Sequence, residues 1–205
     1  MNIKKKSNVI LLALTTLIMT IIGCDENKAE IKSIDGEYSF VSSLEKNSKA
    51  KVKLDVFINF SCSHCYNSHK RMQTLQKKYG KRLAGIFRPL IKKGTNDSIL
   101  RLFHIARKEN KEALAIESFY HAKFKENLDL SEPEVIVNIA EKLGLTNEYH
   151  KMRDSTWVDR AINFDVLLAS NYKIYSTPTW IIEKQLKIKT NFNNLEVVIN
   201  SLLLK

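Results

Sequence analysis

The stretch Val52-Lys-Leu-Asp-Val-Phe-Ile-Asn-Phe60-Ser-Cys62-Ser-His-Cys65 decides the reading of this chain. Its first nine residues are β-rich and mostly apolar, as in a strand buried on both faces. Helical spacing then takes over: Cys65, Met72, Leu75 and Tyr79 fall on one face between Ser63 and Tyr79, and Gly80 stands where a C-cap glycine belongs. Leu83 to Leu90 reads as a second core strand, closed by Pro89 and a Lys-Lys-Gly turn. Strand, helix and strand within about 40 residues make a βαβ unit.

The paired cysteines sit at the junction of its first strand and its helix. There Cys62 and Cys65 can close a disulfide or reopen it with little distortion. Cys62 falls at the helix N-terminus, where unpaired N–H groups and the positive dipole end favour a thiolate. His64 adds a second stabiliser when protonated, or a hydrogen-bond donor when neutral. Cys65, one turn in, is the more buried partner that resolves mixed disulfides. Two other chemistries compete for these residues. Cys62, Cys65 and His69 have the C-x₂-C-x₃-H spacing that can begin a zinc or copper centre, but no second cysteine pair follows. An inert bridge closing a two-residue loop would contribute little, because the entropic gain grows with loop length.

Outward from this unit, residues 97 to about 172 read as an all-helical block. Ile99, Leu102, Phe103 and Ala106 share one face; Ile116, Phe119, Tyr120 and Phe124 share another. Ser131-Glu-Pro-Glu134 has capping-box form and opens a helix closed by Gly144. A further long helix carries Val158, Ala161, Ile162, Asp165 and Leu168. Sheet returns at Thr179–Ile182 and at Leu186–Thr190, and Leu195–Leu204 closes the chain as an amphipathic helix. Tyr38–Val41 offers a short first strand. The plan is α/β: βαβ, a helical insert at about 95–172, then ββα. Ahead of the second sheet block lies Ser176-Thr177-Pro178-Thr179. A cis proline there would present the preceding backbone to whatever docks at Cys62.

Composition agrees with one domain. The chain has 205 residues, 44% apolar and 27% charged, enough to bury a core without disulfide staples. These values exclude wholesale disorder and a polytopic membrane protein. Six glycines and three prolines leave little material for an all-β fold. Three cysteines leave one unpaired, and its position explains it. Lys4, Lys5 and Lys6 precede an apolar run from Val9 to Ile22, too short to span a bilayer but suited to a signal peptide. Ile21-Ile22-Gly23-Cys24 then resembles a bacterial lipobox. It implies cleavage before Cys24, diacylation of its thiol, and a polar tether at 24–37 leading into a domain at 38–205. The net charge of +11 falls to +8 once the three leader lysines are gone. The basic residues are interleaved with acids, which reads as solvated surface, and export makes nucleic acid an unsuitable partner.

FSCSHC, FRPL at Phe87–Leu90, the helical block with IAEKLGL, and STPTW together resemble the DsbA-like branch of the thioredoxin superfamily, over roughly Val52 to Ile182. The resemblance implies a thioredoxin fold with a helical insert. It also implies thiol–disulfide exchange with Cys62 as nucleophile, Cys65 as resolving thiol, Pro178 as cis proline and Thr177 before it, with no cofactor beyond the cysteine pair. The expected protein is a lipid-anchored, extracytoplasmic monomer. Its substrates would be exported protein thiols, and its partner a membrane quinone reductase of the DsbB or vitamin-K-epoxide-reductase type. The expected direction is oxidation of clients; reduction or isomerisation is the alternative. Ser63 stands where the best-known oxidases have proline, and Thr177 is more like the isomerase branch. Val56 occupies the position of the family's buried acid; Asp55, one residue away, belongs to the other face of the strand.

Overall fold

The computed structural model describes residues 34–41, 51–188 and 191–203. Its sheet has five strands, ordered β1 (Ser39–Phe40), β5 (Leu186–Ile188), β4 (Thr179–Ile182), β2 (Val52–Ile58) and β3 (Leu83–Pro89). β2 and β3 run parallel, joined through α1 (Ser63–Tyr79) and one 3₁₀ turn at Gly80–Arg82; the other pairs are antiparallel. Gly80 is the C-cap of α1 and holds φ at +54°, a backbone that favours glycine. Five helices separate the halves: α2 (Ser98–Lys108), α3 (Glu112–Phe124), α4 (Pro133–Lys142), α5 (Thr146–Met152) and α6 (Thr156–Asn171). α7 (Phe192–Leu203) follows β5. Among the described residues, no helix is long and apolar enough to cross a membrane.

β2 is buried along both faces, as its apolar run requires. Val56 and Ile58 join Cys65, Met72 and Leu75 of α1 and Val198 of α7 in the main core. Phe57 faces the opposite side, with Ile181 and Ala169 of α6. Asp55 shares that second face. It pairs with Arg88 of β3 at 2.8 Å, and Arg88 reaches Asp165 of α6 at 2.6 Å, so a buried ion-pair network pins the insert to the sheet. A charge buried there is tolerated only because its partners are in place.

Several boundaries differ from the sequence reading. Ser131 does not cap α4. Its hydroxyl donates to Asp129 Oδ1 at 2.8 Å, Glu132 takes the N-cap position, and Pro133 opens the helix, where its missing N–H costs nothing. The last helix begins at Phe192, three residues earlier than its apolar periodicity suggests, because Asn191 accepts from the Asn193 and Asn194 amides and starts the turn. Ile34 is buried, Asp35 N donates to Ser201 Oγ, and the Glu37 backbone exchanges hydrogen bonds with the Asn194 side chain. The segment 34–37 therefore packs on α7. Cys24 and the leader before it lie outside the described residues.

Candidate active site

Antiparallel pairing of β2 and β4 sets Phe57 opposite Thr179. The chain leaving β2 therefore emerges beside the chain entering β4, at the same end of the sheet. Asn59 shapes the exit: its carbonyl accepts from Cys62 N at 3.1 Å, and its side chain accepts from Ser61 N at 2.7 Å. Phe60 is buried among Phe103, Phe119 and Tyr120 of the insert, with ring centroids 4.7–5.8 Å away. This aromatic cluster holds the turn two residues before Cys62.

Cys62 is the N-cap of α1, with extended backbone (φ −97°, ψ 117°) and no side-chain capping bond. Its thiol remains half-exposed and free to react, at a helix end with no acidic residue in the first turn. Cys65 is fully buried one turn later, and both cysteines are thiols in this structure. Asn59 N donates to Cys65 Sγ at 3.4 Å. Burial pushes the Cys65 thiol up to about 12, against the opposing pull of the Thr177 side chain and the Asn59 amide. The two sulfurs are thus unlike: one is accessible, the other is shielded and holds its proton.

The Thr177–Pro178 peptide bond is cis, and the Cys62 thiol donates to the Thr177 carbonyl at 3.6 Å. Thr179 Oγ1 donates to Ser176 O at 2.7 Å and steadies the loop. Cys62, Cys65, Thr177 and Pro178 are therefore brought together. His64 is exposed in the first turn of the helix. His69 is not drawn into a metal-binding set with the cysteines. Its ring lies between Phe87 and Tyr120, at 5.7 and 5.6 Å, and no three His, Cys, Asp or Glu side chains among the described residues could hold a metal ion together. Asp55, engaged with Arg88 on the far face of β2, is remote from the resolving thiol's face.

A family model described as thioredoxin matches residues 47–200. The chain belongs to the thioredoxin family. No curated protein matches it at a significant level. Among solved structures, the oxidoreductase DsbA of Xylella fastidiosa is 13% identical with a TM-score of 0.66, over 75% of this chain and 85% of that one. A Pseudomonas aeruginosa DsbA variant is 17% identical with a TM-score of 0.66, over 84% and 94%. Proteus mirabilis DsbA, solved with a non-covalently bound peptide PWATCDS, is 16% identical with a TM-score of 0.64, over 85% and 99%. The fold is DsbA-like, a thioredoxin fold with a helical insert. With a Cys-x-x-Cys pair at the head of α1, the thioredoxin-family chain reads as a thiol:disulfide oxidoreductase.

Two contributors to the site escaped the sequence reading. Asn59 gives no motif signal, since its role rests on a turn visible only in three dimensions. Tyr120 registers in the sequence as one more apolar-face aromatic. Its phenol is raised by burial and then by the nearby Cys65 and Cys62.

Proposed function

We propose that this thioredoxin-family protein donates disulfides to exported protein thiols through Cys62 and Cys65. The observation that carries the reading is the asymmetry of the pair: Cys62 half-exposed at a helix N-terminus beside the Thr177 carbonyl, Cys65 buried beneath it. A client thiolate attacks Cys62 of the oxidised pair, and Cys65 leaves as a thiolate that takes up a proton. A second client thiol then attacks the client sulfur of the mixed disulfide and releases Cys62. Two electrons pass from client to pair. The amides and dipole at the helix end stabilise negative charge on sulfur, which favours the dithiol over the disulfide and makes the disulfide easy to give away. Exposed His64 adds to this when it carries a proton. The backbone of Thr177, next to Cys62, is placed to accept an extended client segment in β-fashion; the peptide held by Proteus mirabilis DsbA is consistent with a client of that kind.

Lipidation at Cys24 would hold the monomer at the extracytoplasmic side of a bacterial membrane, within reach of a membrane partner that reoxidises it. The test is the equilibrium of the Cys62–Cys65 pair with glutathione, followed by transfer of its disulfide to a reduced, unfolded client. A potential well above the roughly −270 mV of thioredoxin, lowered by His64→Ala, is expected. A value near that of thioredoxin would overturn the oxidising direction and make the protein a reductase.

A further inference from the structure

Ile34 and Asp35 lead into the fold from the side of Cys24, and their contacts fix where that happens. Ile34 is buried, and Asp35 N donates to Ser201 Oγ near the end of α7. Tyr79, the last residue of α1, donates its hydroxyl to Asn200 of α7, and Arg82 donates to the Leu203 carbonyl. Leu83 opens β3 opposite Val52, the first residue of β2. Glu183 N, in the β4–β5 turn, donates to Lys53 O at 2.9 Å. The start of β2, the ends of α1 and α7 and the β4–β5 turn therefore share one pole of the molecule. Cys62 is at the other. It caps the far end of α1, whose 17 residues span about 25 Å at roughly 1.5 Å per residue.

The pole remote from Cys62 is basic. Lys51 and Lys53 flank Val52, Lys77 and Lys78 end α1, and Lys81 and Arg82 occupy the 3₁₀ turn; all six are exposed. The β4–β5 turn adds exposed Lys184. Three carboxylates stand against them: exposed Asp35, Glu183, which accepts from Lys53 N, and Glu196, which is paired with Lys78. Interleaved with acids along the sequence, these cations are gathered by the fold. Charge alone does not single out this pole, since Lys92 and Lys93 are exposed just beyond β3, at the Cys62 end. Its denser charge coincides with the point where the chain from Cys24 joins the domain, and that coincidence points to a membrane.

We propose that this basic pole docks on anionic lipid headgroups and holds the Cys62 opening away from the bilayer. The inference rests on the anchoring at Cys24 put forward above. The ten steps of chain from Cys24 to Ile34 can span at most about 35 Å. That length keeps the domain near the membrane but leaves it free to turn either way. Charge settles the direction. Each Lys or Arg close to an anionic surface is attracted to it, and the attraction fades over about 8 Å at physiological salt. The pole joined to the anchor comes within that range first and carries more cations. Docked in this way, Cys62, Thr177 and Pro178 face the aqueous side, about 25 Å above the headgroups. Soluble exported clients reach them freely. A membrane partner reaches them only through a segment that projects as far.

Lysine acetylation on vesicles tests this orientation residue by residue. The full chain, expressed with its leader in a bacterial host, is reconstituted on vesicles of phosphatidylcholine, alone or mixed with phosphatidylglycerol. A pulse of acetylating reagent is followed by peptide mass mapping. With phosphatidylglycerol present, Lys51, Lys53, Lys77 and Lys81 should react about five-fold more slowly, the factor that one Lys gains beside an anionic surface. Lys92 and Lys93 should keep their rates, and high salt should remove the protection. Combined Lys51→Glu, Lys77→Glu and Lys81→Glu should abolish protection at Lys53, while disulfide transfer to a soluble client keeps its wild-type rate. Equal rates on both lipids at both poles would overturn the docking. Protection of Lys92 and Lys93 in place of the other four would overturn the orientation. A chain that carries no lipid and does not float with phosphatidylcholine vesicles would refute the anchoring itself, and the docking falls with it.

Discussion

The Cys62 thiol lies 3.6 Å from the carbonyl oxygen of Thr177, a residue 115 positions further along the chain. The β2–β4 pairing makes this contact, because it carries the exit of one strand and the entry of the other to the same end of the sheet. After α1 and β3, the insert α2 to α6 occupies most of the intervening sequence and returns the chain to that end of the sheet. Its aromatic grip on Phe60 and the ion pair of its Asp165 with Arg88 fix how the halves meet.

Alkylation should distinguish the two thiols of the reduced protein. Burial pushes Cys65 up to about 12, so it stays a thiol at pH 7, and it has no solvent exposure. Of the pair, Cys62 is expected to take up iodoacetamide and Cys65 to remain unlabelled, as read by peptide mass mapping. Cys65→Ser should accumulate mixed disulfides with clients and Cys62→Ser should not. Equal labelling of both sulfurs would contradict the assigned roles.

Arg88→Met should be strongly destabilising. It strands Asp55 and Asp165, both buried, without the cation that neutralises them. Removing one member of a buried ion pair typically costs about 3–5 kcal/mol. Urea unfolding at pH 7 gives the value; a loss under about 1 kcal/mol would mean that the network is dispensable. The triple change of Arg88, Asp55 and Asp165 to apolar residues should recover part of the loss.

Much of this architecture is legible in the sequence, because burial dictates it. The apolar run of β2, the period of α1 and the Thr-Pro before β4 each carry a local physical signature. The cysteine pair is legible for the same reason, through its place between strand and helix. What stays hidden depends on pairings across long stretches of chain. Nothing local tells that Phe119 and Tyr120 of the insert both pack on Phe60, or that the Tyr120 phenol lies near the two thiols. Nor does the FRPL motif reveal that Arg88 joins two acids from distant elements. The Ser131 cap misleads because Asp129, two residues upstream, competes for the same hydroxyl.

Replacement of Cys24 with alanine should abolish incorporation of radiolabelled fatty acid and leave the leader uncleaved at Gly23. The expectation comes from the fourteen-residue apolar run ending at Ile22 and the Ile-Ile-Gly-Cys sequence. A wild-type protein that takes up no label and keeps residues 1–23 would make the segment an uncleaved anchor.

Stability should fall with acid, and His104 should be one cause. It is buried in α2, where burial first, then the charges of Arg107 and Arg88, lower it to about 4. Its Nε2 lies 3.4 Å from Asp165 Oδ2, but a histidine so depressed is neutral at physiological pH, so the contact is not a charged pair. Between about 6.5, the unfolded value, and about 4, the unfolded chain binds a proton that the native chain refuses. Stability therefore rises with pH across that window, and by pH 4 His104 has cost about 3 kcal/mol. Asp165 acts in the opposite sense: burial raises it, so it takes up a proton in the folded state sooner than in the unfolded chain. Asp55 completes the set of charges on this cluster through Arg88. Comparison with His104→Asn isolates the histidine contribution. Urea midpoints of the wild type should decline between pH 6.5 and 4 more steeply than those of the variant. Parallel profiles would show that His104 titrates alike in the folded and unfolded chains, and that the depression assigned to its burial is absent.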